Sequence, residues 1–412
     1  MNEPDDGVKT QQSDSTNRYD AAERALSAAK RRYGAGWMPE WRATASGRIE
    51  LLGNHLDYNG GPVLAAAIDR QVVALVAPNG ASSVDVVLTD VDQRQDSLNP
   101  EALSDWRNAS RDIRPEDYVH GVIAALMNRG HPVRVGSRIV VAGDVPIGLG
   151  VSSSAALCVA LTLALSAEAL ASDETVLTAR EAEHRAGTPC GTMDQSASVA
   201  GGVIRFNGAT LEIERLDPDL GNLVFIIADS GVDRTLGTSI YPERVRESRR
   251  ALELANASLP VALPHLAAMT PDQLSGLEKR GILAGSLLRR CRHVVTETER
   301  VEAGEHALRE GDWQRFGQLM TASGRSSAID YEVSHPRVEE IVGLLTASSD
   351  VLGARMMGGG GGGSILALAT IDGLDRIEAS LRRDYYSAHG MREQPGVVQR
   401  CRFGGPATLE AS

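Results

Sequence analysis

Pro146-Ile-Gly-Leu-Gly-Val-Ser-Ser-Ser-Ala155 is the stretch on which the fold turns. It follows a compact apolar strand at Arg138–Ala142 and runs into an apolar helix predicted over Ala155–Leu170. Gly148 and Gly150 let backbone approach a ligand with no Cβ in the way. Ser152, Ser153 and Ser154 stand at the helix N-terminus, where free N–H groups and the helix dipole favour an anion. With Leu149 and Val151 between them, these residues form a candidate phosphate loop, Gly148–Ser154. A serine cap on a buried helix is the commoner use of such a turn. Two glycines and three successive serines before a long apolar helix shift the balance toward phosphate. No Gly-Lys-Ser/Thr follows, and Lys9, Lys30 and Lys279 all lie elsewhere, so this is not a Walker loop.

Outward from this loop, strands and helices mix without strict alternation. Asp20–Arg32 reads as an amphipathic helix, Trp41–Leu52 and Val63–Ala77 as strands around a polar loop, and Val84–Thr89 as a further strand. Pro115–Asn128 reads as a helix closed by Arg129-Gly130. Downstream come a helix at Asp173–Arg185 and a hairpin of Val203–Phe206 with Leu211–Glu214. The pattern resets at Asp217-Pro218, and Leu223–Ala228 opens a mostly helical second half. Its helices are predicted at Pro242–Ala255, Gly281–Leu308, Asp312–Ser323 and Val338–Ala347, before two strands that flank Gly358–Gly363. This order favours an α+β class over a doubly wound parallel sheet. The expected division is a disordered tail at 1–18, a first domain at 19–220 and a second at 221–412.

Length and charge narrow the function. A chain of 412 residues is long enough for two or three domains. Its net charge of −12 argues against a nucleic-acid or anionic-membrane surface. It leaves ATP possible, because a local nest of backbone N–H groups holds phosphate inside an acidic protein. Cys158, Cys190, Cys291 and Cys401 show no metal-ligand spacing, which suits reduced thiols in a large core. The start of the chain lacks the layout of a signal peptide, and Ala155–Leu170 is too short to span a bilayer. A cytoplasmic monomer without nucleic-acid or membrane partners is expected.

Three further segments carry polar groups in patterns that bear on chemistry. Gly47-Arg-Ile-Glu-Leu-Leu-Gly-Asn-His-Leu-Asp-Tyr-Asn-Gly-Gly61 ends a strand and delivers Asn54, His55 and Asp57 within four positions. Composition alone leaves a solvated turn and a loop for a polyhydroxylated ligand equally open. Glu183-His-Arg-Ala-Gly-Thr-Pro-Cys-Gly-Thr-Met-Asp-Gln195 sets Asp194 after a turn made by Gly187, Pro189 and Gly191. A lone Asp there is more often a cap than a catalyst. Gly358–Gly363 lies between two apolar strands, which marks close approach of backbone to a ligand or to another loop.

Taken in order, these segments resemble the GHMP kinases and, within them, the galactokinase family. Gly47–Gly61 resembles the family's GRVNLIGEHTDYNGG, Pro146–Ala155 its PxGxGLSSSA, Cys190–Gln195 its CGIMDQ, and the glycine run its GGGFGG. Asp117–Gly121 is similar to NYVKG, and Arg234–Tyr241 to RxLxxSEYN. The likeness covers about Trp41–Ala367. It implies an N-terminal ribosomal-protein-like domain, a C-terminal ferredoxin-like domain and an active site between them. It also implies ATP and Mg2+ as cofactors and a sugar phosphorylated at its anomeric hydroxyl. By the same resemblance Asp194 matches the catalytic base and Arg48 the arginine that stabilises the transition state. Ser154 and Glu183 match magnesium ligands, and Asn54, His55, Asp57, Gly191 and Tyr241 fall on sugar-contacting positions.

A carboxylate of ordinary pKa, about 4, is a weak base toward a sugar hydroxyl. Asp194 is therefore expected to orient the hydroxyl and take its proton late, with electrostatics carrying the larger share. The chain departs from the motif in several places. Asn54 stands for Glu, Glu50 for Asn, Leu56 for Thr, Gly361 for Phe and Gly324 for His, and the Glu183–Asp194 spacing is one residue short. An amide at 54 would not repel a carboxylate, so galacturonate joins galactose as a candidate substrate. A sugar sensor without catalysis is the alternative from another class, although Ser152–Ala155, Arg48 and Asp194 are all present.

Overall fold

The computed structural model describes residues 20–91, 94–110, 112–232 and 240–412. The expected tail at 1–18 and the segment Asp233–Ser239 lie outside these residues.

The first layer is an eight-stranded sheet. Its strands are β1 (Trp41–Leu52), β2 (Pro62–Pro78), β3 (Val84–Leu88), β4 (Arg94–Leu98), β5 (Ser137–Gly143), β6 (Val203–Asn207) and β7 (Ile213–Leu216), together with the C-terminal strand. The long strands β1 and β2 pair antiparallel, with register shifts between Ser46 and Arg48 and between Glu50 and Leu52. The first shift falls at Gly47, where an added Cβ would lie 2.7 Å from Val145 and 2.8 Å from the Val151 carbonyl. Glycine here lets the strand press against the phosphate loop, and Arg48 N–H donates to Val151 O at 3.1 Å.

Helices cover both faces of this sheet. Helix α1 (Ala21–Tyr33) lays Ala21, Ala25, Ala28 and Ala29 against Val73, Leu75 and Val140 on one face. On the other sit α2 (Pro115–Asn128), α3 (Ser153–Leu165), α4 (Ser172–Ala186) and α5 (Met193–Ala200). Helix α3 is apolar nearly all round and fully buried at Ala155, Ala156, Val159, Leu161 and Leu165, as expected of a central helix. It stops five residues earlier than the sequence pattern suggested. Ser166 leaves the helix to bridge Val133, and the Arg134 guanidinium takes the carbonyls of Ala164 and Ser166 at 3.1 and 2.7 Å. Those contacts satisfy acceptors that the next helical turn would otherwise have taken.

The second half starts with β8 (Leu223–Asp229). Five helices follow: α6 (Tyr241–Asn256), α7 (Pro271–Lys279), α8 (Gly285–Glu310), α9 (Trp313–Ile329) and α10 (Pro336–Thr346). Then come β9 (Val351–Met356), β10 (Ser364–Thr370), α11 (Leu374–Leu381), β11 (Val398–Cys401) and β12 (Thr408–Ala411). Strands β8 to β11 make an antiparallel sheet in the order β11-β8-β10-β9, the arrangement expected of a ferredoxin-like layer. Gly317 on α9 and Gly353 on β9 meet backbone to backbone, which seats the helix directly on the strand. The class is α+β, as expected. Strand β12 returns to the first sheet and pairs with β1 from Trp41↔Ala411 to Thr44↔Thr408. The end of the chain thereby belongs to the first layer, across the division expected at 220.

Candidate active site

The phosphate loop combines alternating backbone and a helix start. Gly148, Gly150 and Ser152 all have positive φ, of 84°, 71° and 58°, with Leu149 and Val151 between them. Such alternation turns successive N–H groups toward one concavity, the form of an anion nest. Ser152 is the N-cap residue of α3, and Ser153 and Ser154 begin the helix. The loop is also tied to the second half of the chain, since the Ser364 hydroxyl donates to Leu149 O.

Two catalytic candidates meet at this loop. Arg48 Nε and Nη2 both lie 2.8 Å from Asp194 Oδ1, and Nη1 donates to Gly150 O at 2.6 Å. Ser152 Oγ donates to the other carboxylate oxygen of Asp194 at 2.5 Å. Asp194 is the second residue of α5, behind the N-cap position Thr192, so it is not the cap that a lone Asp after a turn suggests. The guanidinium and the serine hydroxyl hold its carboxylate at the mouth of the nest.

Ser154 Oγ donates to Glu183 Oε1 at 2.7 Å, and Gln195 Nε2 donates to Glu183 Oε2. Burial pushes the Glu183 carboxyl up to about 7, and the nearby Asp194 charge adds to this against the Ser154 and Gln195 bonds. The short spacing from Glu183 to Asp194 costs no contact. Helix α4 ends at Gly187 with φ 101°, and the turn still returns Asp194 to Ser152. A hydroxyl and a carboxylate, both oxygen donors beside a phosphate nest, fit a hard divalent cation such as Mg2+. The proton that burial holds on Glu183 is one that such a cation would displace.

Beyond Arg48 the sugar-loop residues take separate places. Asp57 lies against Gly191, where a Cβ would come within 2.5 Å of Asp57 Oδ2. Burial pushes the Asp57 carboxyl up to about 7, the Glu50 and Asp194 charges reinforce this, and Arg48 opposes it. His55, at φ 62°, is buried among the rings of Tyr58, Tyr241 and Tyr331, with centroids 5.7, 5.5 and 5.0 Å away. Tyr241 opens α6 and closes this aromatic wall.

Asn54 is 1% exposed, and protein groups contact both ends of its amide. Nδ2 donates to Glu50 Oε1 and Gly358 O, both at 3.0 Å, and Oδ1 accepts from Ser327 Oγ at 2.9 Å. Both amide N–H groups are committed to protein, so a sugar could be met at 54 only through the second lone pair of Oδ1. Its backbone is gripped as well, by Glu297 Oε1 on its N–H at 3.2 Å and by His293 Nε2 on its carbonyl at 2.9 Å.

Three of these anchors, His293, Glu297 and Ser327, together with the buried Arg355 that donates to Glu50 Oε1 at 2.9 Å, were not legible as site residues, because each is a polar side chain in an ordinary helix or strand of the second half. The glycine run does approach other loops closely. A Cβ on Gly360 would lie 2.4 Å from Val333 O, and one on Gly362 2.7 Å from Val232. Gly324 likewise leaves room for Arg355, whose Cβ would be 2.8 Å away.

A galactokinase galactose-binding signature matches residues 30–78, and GHMP kinase N-terminal and C-terminal domains match 117–202 and 305–387. The chain is 35% identical over 375 residues to a galactokinase of Chloroflexus aurantiacus, covering 88% of this chain and 92% of that one. It belongs to the galactokinase family. A galactokinase of Bos taurus is 33% identical over 369 residues, covering 85% of this chain and 89% of that one. Galactokinase of Lactococcus lactis, solved with galactose, superposes with a TM-score of 0.83 at 25% identity, over 93% of this chain and 99% of that one. A mevalonate kinase shares the fold at a TM-score of 0.63 and 16% identity. As a galactokinase-family member the chain is a kinase that transfers phosphate to a hydroxyl group.

Proposed function

We propose that this chain transfers the γ-phosphoryl group of ATP to the anomeric hydroxyl of galactose, giving galactose 1-phosphate and ADP. The observation that carries this reading is the cluster of Arg48, Asp194 and Ser152 at the rim of the phosphate nest, flanked by Asp57 and Gly191. A sugar resting on Asp57 and Gly191 would present a hydroxyl to Asp194, with the nest supplying the phosphate.

The nest Gly148–Ser154 orients the phosphates of ATP, and Arg48 faces the charge that develops during transfer. The anomeric oxygen attacks the γ-phosphorus, the bond from that phosphorus to the bridging oxygen breaks, and ADP leaves with the electron pair. Asp194 orients the attacking hydroxyl and accepts its proton. Bound Mg2+ supplies neutralising charge on the phosphates, and Ser154 and Glu183 are the groups that would hold it. The first domain, 19–220, carries both loops and takes β12 into its sheet. The second, from 221 up to that strand, closes over the sugar loop through His293, Glu297 and Arg355. All four cysteines are free thiols, which suits a reducing compartment such as the cytoplasm.

The test is ADP release with ATP and Mg2+ across galactose, galacturonate, N-acetylgalactosamine, arabinose and glucose. Galactose is expected to be the best substrate. Turnover of none of them would overturn the catalytic reading in favour of a sugar sensor.

A further inference from the structure

Glu50 was noticed in the sequence only as a departure from a motif, yet its position gives it a task. Residues two apart on a strand share a face, and the pairing of β1 with β2 is regular from Arg48 to Glu50. Glu50 therefore faces the same side as Arg48, displaced along the strand by roughly 7 Å. That displacement is on the order of the span of a hexose ring. A sugar held with its anomeric end at Arg48 and Asp194 would extend toward Glu50.

Its two carboxylate oxygens differ. Oε1 accepts from Asn54 Nδ2 at 3.0 Å and from Arg355 Nη2 at 2.9 Å. Arg355 is wholly buried and also donates to Leu51 O at 3.1 Å, so it fixes the carboxylate from behind. Among the described residues no hydrogen bond engages Oε2. The side chain is 8% exposed, a narrow opening in an otherwise enclosed group. The charge of Glu50 also reaches the Asp57 carboxyl. Asn54, by contrast, has both amide N–H groups committed to protein.

We propose that Glu50 is the specificity-determining residue of the sugar site, its free oxygen accepting from a hydroxyl at the end of the hexose remote from the transferred phosphate. Asn54 and Arg355 are positioning residues that aim it. The proposal rests on the sugar-kinase reading above. A fixed carboxylate at this place accepts from a neutral hydroxymethyl group and repels a sugar oxidised to a carboxylate. Galacturonate is thereby excluded, and the opening that an amide at 54 gave it in the sequence is closed. The related motif has Asn and Glu at these two positions in the opposite order, and here the two side chains touch. An exchange of the pair keeps one carboxylate and one amide.

The test measures kcat and KM for galactose, 6-deoxygalactose and galacturonate at saturating ATP and Mg2+. The proteins are wild type, Glu50→Gln, Asn54→Glu and the exchange Glu50→Asn/Asn54→Glu, each with its thermal midpoint. Loss of a charge-assisted bond predicts that Glu50→Gln lowers kcat/KM for galactose by about tenfold. It should leave 6-deoxygalactose nearly unchanged and narrow the gap between galactose and galacturonate by at least that factor. Asn54→Glu alone sets two carboxylates side by side and should lose galactose turnover, which the exchange restores along with the preference. An equal fall on all three sugars, or an unchanged galactose-to-galacturonate ratio in folded Glu50→Gln, overturns the proposal. Should Glu50→Gln fail to fold, a folded exchange variant without the preference overturns it as well. Wild-type protein that turns over no sugar overturns the kinase reading itself, and this proposal with it.

Discussion

Glu297 Oε1 accepts from the backbone N–H of Gly53 at 2.9 Å, joining the long helix of the second half to the point where the sugar loop leaves its strand. The same oxygen takes the Asn54 N–H and the Ser323 hydroxyl, and Arg300 Nε donates to Oε2 at 2.6 Å. A loop with Gly53 at φ 103° cannot continue the sheet ladder, so its N–H groups need partners from elsewhere. Glu297 meets that need with a buried charge.

Replacing that charge has a signed consequence. Burial pushes the Glu297 carboxyl upward, but Arg300, His293, Arg355 and the Ser323 hydroxyl outweigh it and hold it at about 2. A depressed carboxyl contributes stability above its unfolded value near 4.5, and loses it as pH falls toward 2. Glu297→Gln is expected to cost about 3 kcal/mol at neutral pH by leaving Arg300 without its carboxylate. It should flatten the acid limb of the melting profile and raise the KM for sugar more than that for ATP. Calorimetry from pH 3 to 7 with initial-rate kinetics checks both. An unaltered acid limb would remove Glu297 from this role.

The sequence made the first half of the site legible because its chemistry is carried by backbone-demanding residues. Gly148, Gly150 and the serines announce a nest through residue type, whereas the close approach at Gly47 beside Arg48 shows only in the fold. The anchors from the second half left no such mark. Arg355 and Glu297 are single charges in amphipathic elements, and only the folded arrangement shows that they face inward. The end of α3 was overrun because Ser166 is tied by Arg134, a partner distant in sequence. Strand β12 was missed because four residues near a terminus carry too little pattern, and its pairing with β1 is a long-range event.

Asp194→Asn tests the base. The amide preserves shape but cannot accept the proton from an anomeric hydroxyl, and general-base contributions run at about 10²–10⁴-fold. The variant should fold, bind ATP with near wild-type affinity and lose turnover on that scale. ADP release beside ATP titration by calorimetry reads both quantities. Turnover within a few-fold of wild type would remove Asp194 from proton transfer.

Ser152 pairs a strained backbone with a useful hydroxyl. A non-glycine residue at φ 58° costs roughly 1 kcal/mol, which glycine does not incur. Ser152→Gly should therefore turn over more slowly than wild type, because the hydroxyl that fixes Asp194 Oδ2 is gone, while relief of the strain offsets part of the stability that hydroxyl contributed. Ser152→Ala loses the same hydroxyl and keeps the strain. It should match the glycine variant in rate and fall below it in thermal midpoint. Equal midpoints for the two would mean that the left-handed backbone stores no cost.

Asp57 gives a pH signature of opposite sign to Glu297. Burial first, then the Glu50 and Asp194 charges, raise its carboxyl from 3.8 to about 7. The folded chain therefore keeps a proton on Asp57 that the unfolded chain has released. Stability associated with this group is present below pH 3.8 and is lost as pH rises through about 7. An amide carries no such ionisation. Asp57→Asn should thus gain stability relative to wild type between pH 5 and 8, with the difference in thermal midpoint widening as pH rises. In the same variant the sugar KM should rise above about pH 7, where wild type offers a carboxylate beside Gly191 that the amide does not match. Melting curves at pH 5, 6.5 and 8 in the absence of sugar decide the matter. A difference that stays constant across that range would place the Asp57 carboxyl outside the shared field of Glu50 and Asp194.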